Sequence, residues 1–407
     1  MYKVLFFLVA FTSLFGQNDS KKIVSNQTLT LSQGNNAFAF DLYRNLDQDK
    51  NLFFSSYNIS LALSMVYDGA RNETRKEMEK VLHFDQSLLT LNESFSMLNR
   101  IFESPAIPVD GLSLNIVSTL WIQAGTHILP QFLDDMARYF KATPRRADFQ
   151  KHADAARREI NYFVKDKTMG KIEELVGALD IDSSTKMMII STIYMKARWK
   201  NVFDSKNTEM SPFFASEDNK INADMMNQKT FFPYYQTSDF AAVELPYIHP
   251  NGNFPDLNFV IILPHENFGL SKIEKTMSAA DFKQILEGFE SEEINLFLPK
   301  FRFTKSLSLK EILTEMGMGK AFSFEANFEG INGKRDLKIG QVLHKAFISV
   351  NETGTEAAAA TSVSMNLTAF LPKKEPILFK ADHPFMFIIY EKTTSQILFL
   401  GRISNPS

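Results

Sequence analysis

The chain has 407 residues, 44% of them hydrophobic, with 38 Phe, no Cys and a formal net charge of −3. That length and apolar content suffice for a large core, and the near-neutral charge points to neither nucleic acid nor a membrane surface as partner. Without Cys there are no disulfides, thiol nucleophiles or thiolate zinc sites.

The first residues read as a secretory signal. Lys3 supplies the positive start, Val4–Phe15 is a mostly apolar run, and small polar residues surround Gly16. Such a run is too short to span a bilayer comfortably. The sequence therefore predicts a signal peptide over 1–16, a mobile polar segment over 17–34 and one domain over 35–407, with a secreted, extracellular product. No repeat, linker or low-complexity block divides the rest.

Helical spacing of Phe38, Phe40, Leu42 and Tyr43 predicts a first helix over 35–46. Asn51 to Ser60 reads as a short strand, a turn and a helix start, the helix continuing to Gly69-Ala70. Further helices are predicted over 74–82, 88–102, 130–140 and 153–165. The last is amphipathic, with Ala156, Ile160, Phe163 and Val164 inward. Strands are predicted over 114–122 and 187–199, then 243–247, 259–264 and 294–301. Two more helices follow, over 273–286 and 307–318, the second closed by Gly319. A hairpin of strands over 385–390 and 397–403 ends the chain.

Enzyme signatures are missing. The seven His are scattered, His265-Glu266 has no second His at zinc-protease spacing, and no Gly-x-Ser-x-Gly, Walker or dinucleotide pattern occurs. Ser183-Ser184-Thr185-Lys186 matches Ser-x-x-Lys without its companion motifs. No catalytic residue, metal site or cofactor is expected. His344, inside an apolar alternating run, reads as a buried strand residue bonded to neighbours such as Ser55 or Asn58.

The most distinctive stretch is 352–368. At period two, one face carries Thr355, Ala357, Ala359, Thr361, Val363, Met365 and Leu367, small then apolar and never charged. Yet Gly354 and the run Ala357–Ala360 have poor strand propensity. The segment is patterned for a sheet without being committed to one. A polar surface linker is the plain alternative. The other reading is a loop that becomes a strand later, its small side chains suiting insertion between packed neighbours.

The run from Val342 to Thr361 resembles the hinge of an inhibitory serpin. The similarity extends to Ser55–Ser60, to Ile160–Val164 with Thr168–Ile172, to Tyr194–Trp199, to Asp382–Phe385 and to Leu400–Ile403, and covers about 35–406. The chain departs from the family's usual residues at Ser56, Asn58, Phe163, Ser191, Met195 and Ala197.

The resemblance implies an α+β serpin fold: three β-sheets, eight or nine helices and an exposed reactive loop near the C-terminus. It implies a suicide-substrate inhibitor of an extracellular serine protease, trapped covalently as the cleaved loop inserts into the main sheet. The implied hinge is Glu352, Gly354, Thr355, Glu356, Ala357, Ala358, Ala359 and Ala360. Ser55, Asn58, Ser191, Trp199 and His344 would govern sheet opening, with Trp199 near the point where insertion starts.

Counting forward from the hinge places the scissile bond between Thr368 and Ala369. Leu367, Thr368 and Phe370 then suit an elastase- or chymotrypsin-like target. Counting back from His383-Pro384 points to Lys373 and a trypsin-like target. A non-inhibitory carrier, chaperone or storage protein is the alternative.

Asn26, Asn72 and Asn92 head the sequons expected to be glycosylated, whereas Asn58 heads one expected to be buried. Lys141, Arg145, Arg146, Lys151, Arg157 and Arg158 form a basic cluster that could meet a glycosaminoglycan, or be a solvated face. A monomer is expected.

Overall fold

A computed structural model describes residues 24–47, 50–103, 111–249, 255–355 and 375–407. The segments predicted as signal peptide, most of the hinge and the reactive bond lie outside them.

The first helix, α1 (Asn26–Arg44), begins nine residues before the sequence places it. Ser25 caps it, its hydroxyl accepting the Thr28 N–H at 3.2 Å. Thr28, Leu31 and Ser32 are buried, so the expectation of a mobile segment reaching residue 34 is corrected. The short polar side chains hid a packed face.

Strand β1 (Leu52–Phe54) leads into α2 (Ser56–Gly69), which is buried on every face. Helices α3 (Asn72–Leu82), α4 (Leu88–Phe102) and α5 (Pro130–Phe140) pack around it, interrupted by strand β2 (Leu112–Gln123). Strand β3 (Arg145–Ala147) precedes α6 (Ala153–Lys167), and β4 (Met187–Arg198) follows. Strands β5 (Glu209–Phe214), β6 (Lys220–Gln236), β7 (Phe240–Pro246) and β8 (Leu257–Pro264) form the middle of the chain.

The single helix predicted over 273–286 is two, α7 (Leu270–Thr276) and α8 (Ala279–Glu287). Ser278 restarts the helix through a reciprocal cap with Asp281. Strands β9 (Glu290–Pro299) and β10 (Phe301–Ser308) come next. The helix predicted over 307–318 is likewise corrected. Leu307 and Ser308 still belong to β10, and α9 (Lys310–Leu313) is separated from α10 (Gly319–Phe322) by a π-turn in which Gly317 takes a φ of +111°. The one-turn helix α11 (Glu329–Asn332) precedes β11 (Gln341–Asn351) and β12 (Gly354–Thr355). Strands β13 (Ile377–Lys380), β14 (Phe385–Glu391) and β15 (Gln396–Ile403) finish the chain.

Among the described residues the strands form two sheets. One has nine strands, ordered β1-β15-β14-β8-β7-β6-β9-β13 with β5 on β6. The seventeen-residue β6 pairs with β5 at one end and β7 at the other, so that among the described residues the three sheets the resemblance implies appear as two. The other has six, ordered β10-β11-β12-β4-β2-β3. The architecture is α+β.

The six-stranded sheet is covered on both sides. Ile189 and Ile193 of β4 join the main core with α2, while Met188 and Ile190 join Trp121 beneath Ile160 and Val164 of α6. That double burial explains why β4 reads as an unbroken apolar run.

Candidate functional site

The site is the upper end of the six-stranded sheet. Strands β4 and β11 pair in parallel over six register positions, Gln341–Ala346 against Met188–Ile193. Direct pairing stops there. Two residues of β12 then lie between the strands: Thr355 opposite Val350 and Ala197, Gly354 opposite Asn351 and Arg198, antiparallel to both.

The sequence makes this turn locally. Asn351 Oδ1 accepts from the Thr353 N–H at 3.0 Å, the Thr353 hydroxyl at 2.8 Å and the Gly354 N–H at 3.3 Å, which reverses the chain. Gly354 has a φ of +151°, and a Cβ there would lie 2.7 Å from Arg198 Cα. Only glycine fits so close to β4.

Trp199 closes the turn from the side of β4. Its indole N–H donates to Asn351 O at 2.9 Å and its backbone N–H to Thr353 O at 3.0 Å. Its ring stacks on Tyr247, with centroids 4.5 Å apart and planes 10° from parallel. The Tyr247 hydroxyl in turn lies 2.6 Å from that of Thr355. Burial pushes the Tyr247 phenol above its ordinary pKa, so it stays neutral.

Glu352 sits at the mouth. It accepts from the Thr208 hydroxyl at 2.9 Å and pairs with Lys300 at 3.2 Å, while its carbonyl accepts the Phe203 N–H at 2.9 Å. Burial works to raise its carboxyl pKa. Its own backbone N–H, Thr208 and Lys300 outweigh that, and the pKa lies below the usual value.

Lower in the sheet, Ser118, Ser191 and His344 share one cross-strand row of β2, β4 and β11. His344 is fully buried. Its Nε2 accepts the Ser55 backbone N–H at 3.1 Å, and Nδ1 lies 3.0 Å from Ser191 Oγ. A backbone amide only donates, so the proton sits on Nδ1. Desolvation lowers the imidazole pKa to about 3, and the ring is neutral. Asn58 does not reach His344. Its Oδ1 accepts from Ser118 at 2.5 Å, and its amide nitrogen has no protein acceptor among the described residues. One set of side chains thus joins the cap of α2 to strands β4 and β11.

Here Gly354 and Thr355 already form a short strand between β11 and β4. A sequence profile of the serpin (serine protease inhibitor) family matches residues 33–406. The chain belongs to the serpin family. It is 39% identical over 372 residues to an uncharacterized serpin-like protein of Thermococcus kodakarensis, covering 91% of this chain and 84% of that one. To a leukocyte elastase inhibitor of Bos taurus it is 36% identical, covering 92% and 99%. The structure of human thyroxine-binding globulin complexed with thyroxine superposes with a TM-score of 0.83 at 30% identity, covering 93% and 100%.

In this serpin, Ser55, Ser191 and His344 meet in one cluster, with Asn58 one side chain removed, and Glu352, Gly354, Thr355 and Trp199 meet in the other. Glu356, Ala357, Ala358, Ala359 and Ala360 lie outside the described residues. So do Leu367, Thr368, Ala369, Phe370 and Lys373. Sequence reasoning missed Tyr247, Lys300 and Ser118 as partners. None carries a local signal, because each acts on a residue far along the chain.

Two surface expectations change. Asn26 and Asn72 are exposed, but Asn92 is 3% exposed. Its amide donates to buried Asp68 at 2.7 Å, so the expectation of a glycan at Asn92 is corrected: the helical face that α4 turns inward includes it. In the basic cluster, Lys141 pairs with Glu103, and Arg157 and Arg158 share Asp154. Arg146 donates to Thr126 O at 2.6 Å. Much of that charge is met within the protein.

Among the described residues no helix is long and apolar enough to cross a membrane, and no group of His, Asp or Glu could hold a metal ion.

Proposed function

We propose that this serpin is a secreted, single-use inhibitor of an extracellular serine protease of elastase- or chymotrypsin-like specificity. One observation carries the reading: Gly354 and Thr355 already pair with β11 on one side and β4 on the other. The sequence beyond them keeps its inward face free of charge as far as Leu367. A strand that starts inside the sheet needs only the six β4–β11 register positions to separate before it can continue.

In this reading the protease serine attacks the Thr368 carbonyl, forming an acyl ester and releasing the Ala369 amine. The freed segment Thr355–Thr368 then enters between β4 and β11. Its fourteen residues, at ~3.3 Å each, carry the tethered protease about 45 Å. Distortion of its oxyanion hole then stops deacylation. The named activity of the bovine relative supports an elastase-type target. Lys373 and a trypsin-like protease remain the runner-up. The secretion component rests on the Lys3–Phe15 pattern alone.

The test is a panel of elastase, chymotrypsin and trypsin scored for SDS-stable complexes, with mass spectrometry of the released peptide. A covalent complex with elastase or chymotrypsin and a peptide beginning at Ala369 is expected. Turnover of the loop by all three without any complex would favour a non-inhibitory carrier. A peptide beginning at Lys374 would move the reactive bond to Lys373. Detection of the chain in the medium of a secreting host, cleaved near Gly16, tests the export.

A further inference from the structure

The six-stranded sheet has a second open region at the edge of β2. Strand β2 pairs with β3 over Trp121–Gln123, and among the described residues no strand lies beside the edge of β2 before Trp121. A cleft of about 530 Å³ runs along that edge, between α2, α4, α5 and α6. The volume lies in the range of small-molecule sites, ~300–1,000 Å³.

Its walls combine an apolar stretch with polar side chains, among them Asn99, Asn115 and Thr119. Leu61, Met65, Phe102 and Phe140 are buried side chains that line it, and Ile116 and Phe163 add half-buried surface. Its mouth is cationic. Lys141, Arg145 and Lys167 line the cleft against a single carboxylate, Glu103, which is already paired with Lys141 at 2.6 Å. Lys167 pairs with its exposed neighbour Asp166 at 3.4 Å and lies 5.9 Å from the Phe163 ring centre.

Arg145 is the unusual group. Its guanidinium lies 4.1 Å from the centre of the Phe163 ring and 5.2 Å from that of Trp121. It has no carboxylate or hydrogen-bond acceptor among the described residues. The rings fix its position and leave its N–H fork open to an incoming oxyanion.

We propose that this cleft binds an amphipathic monoanion of the fatty-acid class, with the acyl chain along the free edge of β2 and the carboxylate on Arg145. An apolar trough alone would take any greasy molecule. A stacked, acceptor-free guanidinium at its rim selects one with a planar oxyanion at one end. The site uses none of the residues of the hinge cluster, and its binding does not depend on inhibition of any protease.

The probe is sodium laurate below its micelle concentration, titrated into the full chain by calorimetry, with lauramide as the uncharged control. Saturable binding of one laurate per chain is expected, with lauramide at least about 10-fold weaker, the worth of one charge-assisted contact. Arg145→Gln should weaken laurate about 10-fold, and Thr143→Trp, which fills the exposed mouth, should abolish binding. Saturating laurate should raise the melting temperature of the wild type and not of Thr143→Trp. Both positions are exposed, and unchanged melting of the free variants confirms their fold. Absence of saturable binding overturns the proposal. So does binding that neither variant changes, or equal affinity for lauramide.

Discussion

The hydroxyls of Tyr247 and Thr355 lie 2.6 Å apart, both buried, where the first inserted residues meet the sheet. The bond ties a residue of the hinge to a residue 108 positions earlier, just after β7. Removing one partner leaves the other hydroxyl buried and unsatisfied. Tyr247→Phe and Thr355→Val should each destabilise the uncleaved protein by about 1–3 kcal/mol in urea unfolding. The double variant should cost less than the sum of the two, because no hydroxyl is then stranded. Strict additivity would show that the bond does not hold the hinge.

Insertion should be stopped at its first step by Thr355→Arg. The side chain is 2% exposed between two strands, and an unpaired buried guanidinium costs several kcal/mol. Loop cleavage should continue while the SDS-stable complex disappears. Gly354→Ala should act in the same direction, since a Cβ there meets the backbone of β4. A variant that still forms the full yield of complex would exclude insertion through this gap.

His344 should make stability fall with acidity. Its folded pKa of about 3 lies below the ordinary 6.5, so the unfolded chain takes a proton that the folded one refuses. The contribution is complete above pH 6.5 and is lost as pH falls toward 3. Between pH 7 and pH 5 the loss is on the order of 2 kcal/mol. Burial raises the pKa values of Asp68, Glu244 and Glu274, which act in the opposite sense. The comparison is therefore wild type against His344→Gln, measured by urea unfolding at both pH values. The variant should show the shallower pH dependence, and parallel curves would contradict a neutral buried imidazole.

Glycans should be found at Asn26 and Asn72 but not at Asn92 when the protein is made in a secreting eukaryotic host, as read by peptide mass spectrometry. Asn92→Ala should instead destabilise the fold by about 1–3 kcal/mol, because Asp68 would lose its buried donor. A glycan at Asn92 would mean that α4 does not pack as described.

Burial of His344, the helix of residues 56–69 and the inward direction of Thr355 could be read from the chain, because each follows from a period of 2 or 3.6 over neighbouring residues. The same reasoning failed at Asn92, where a polar side chain faces inward to satisfy Asp68. It failed again over 273–286, where apolar spacing continues across a break that Ser278 and Asp281 create. Patterning reports which face is buried and is blind to what that face meets.

The sequence alone determined the family and the uncharged period-two face from Thr355 to Leu367, because these are properties of consecutive residues. Only the tertiary structure decided that Trp199 and Tyr247 clasp Asn351–Thr355, that Ser55 and Ser191 hold His344, and that among the described residues no strand covers the edge of β2 before Trp121. The hydrogen bonds at the hinge and at His344 join positions 108 to 289 residues apart, and hydrogen-bond geometry and close packing select among many chemically equal partners only once the strands are in register.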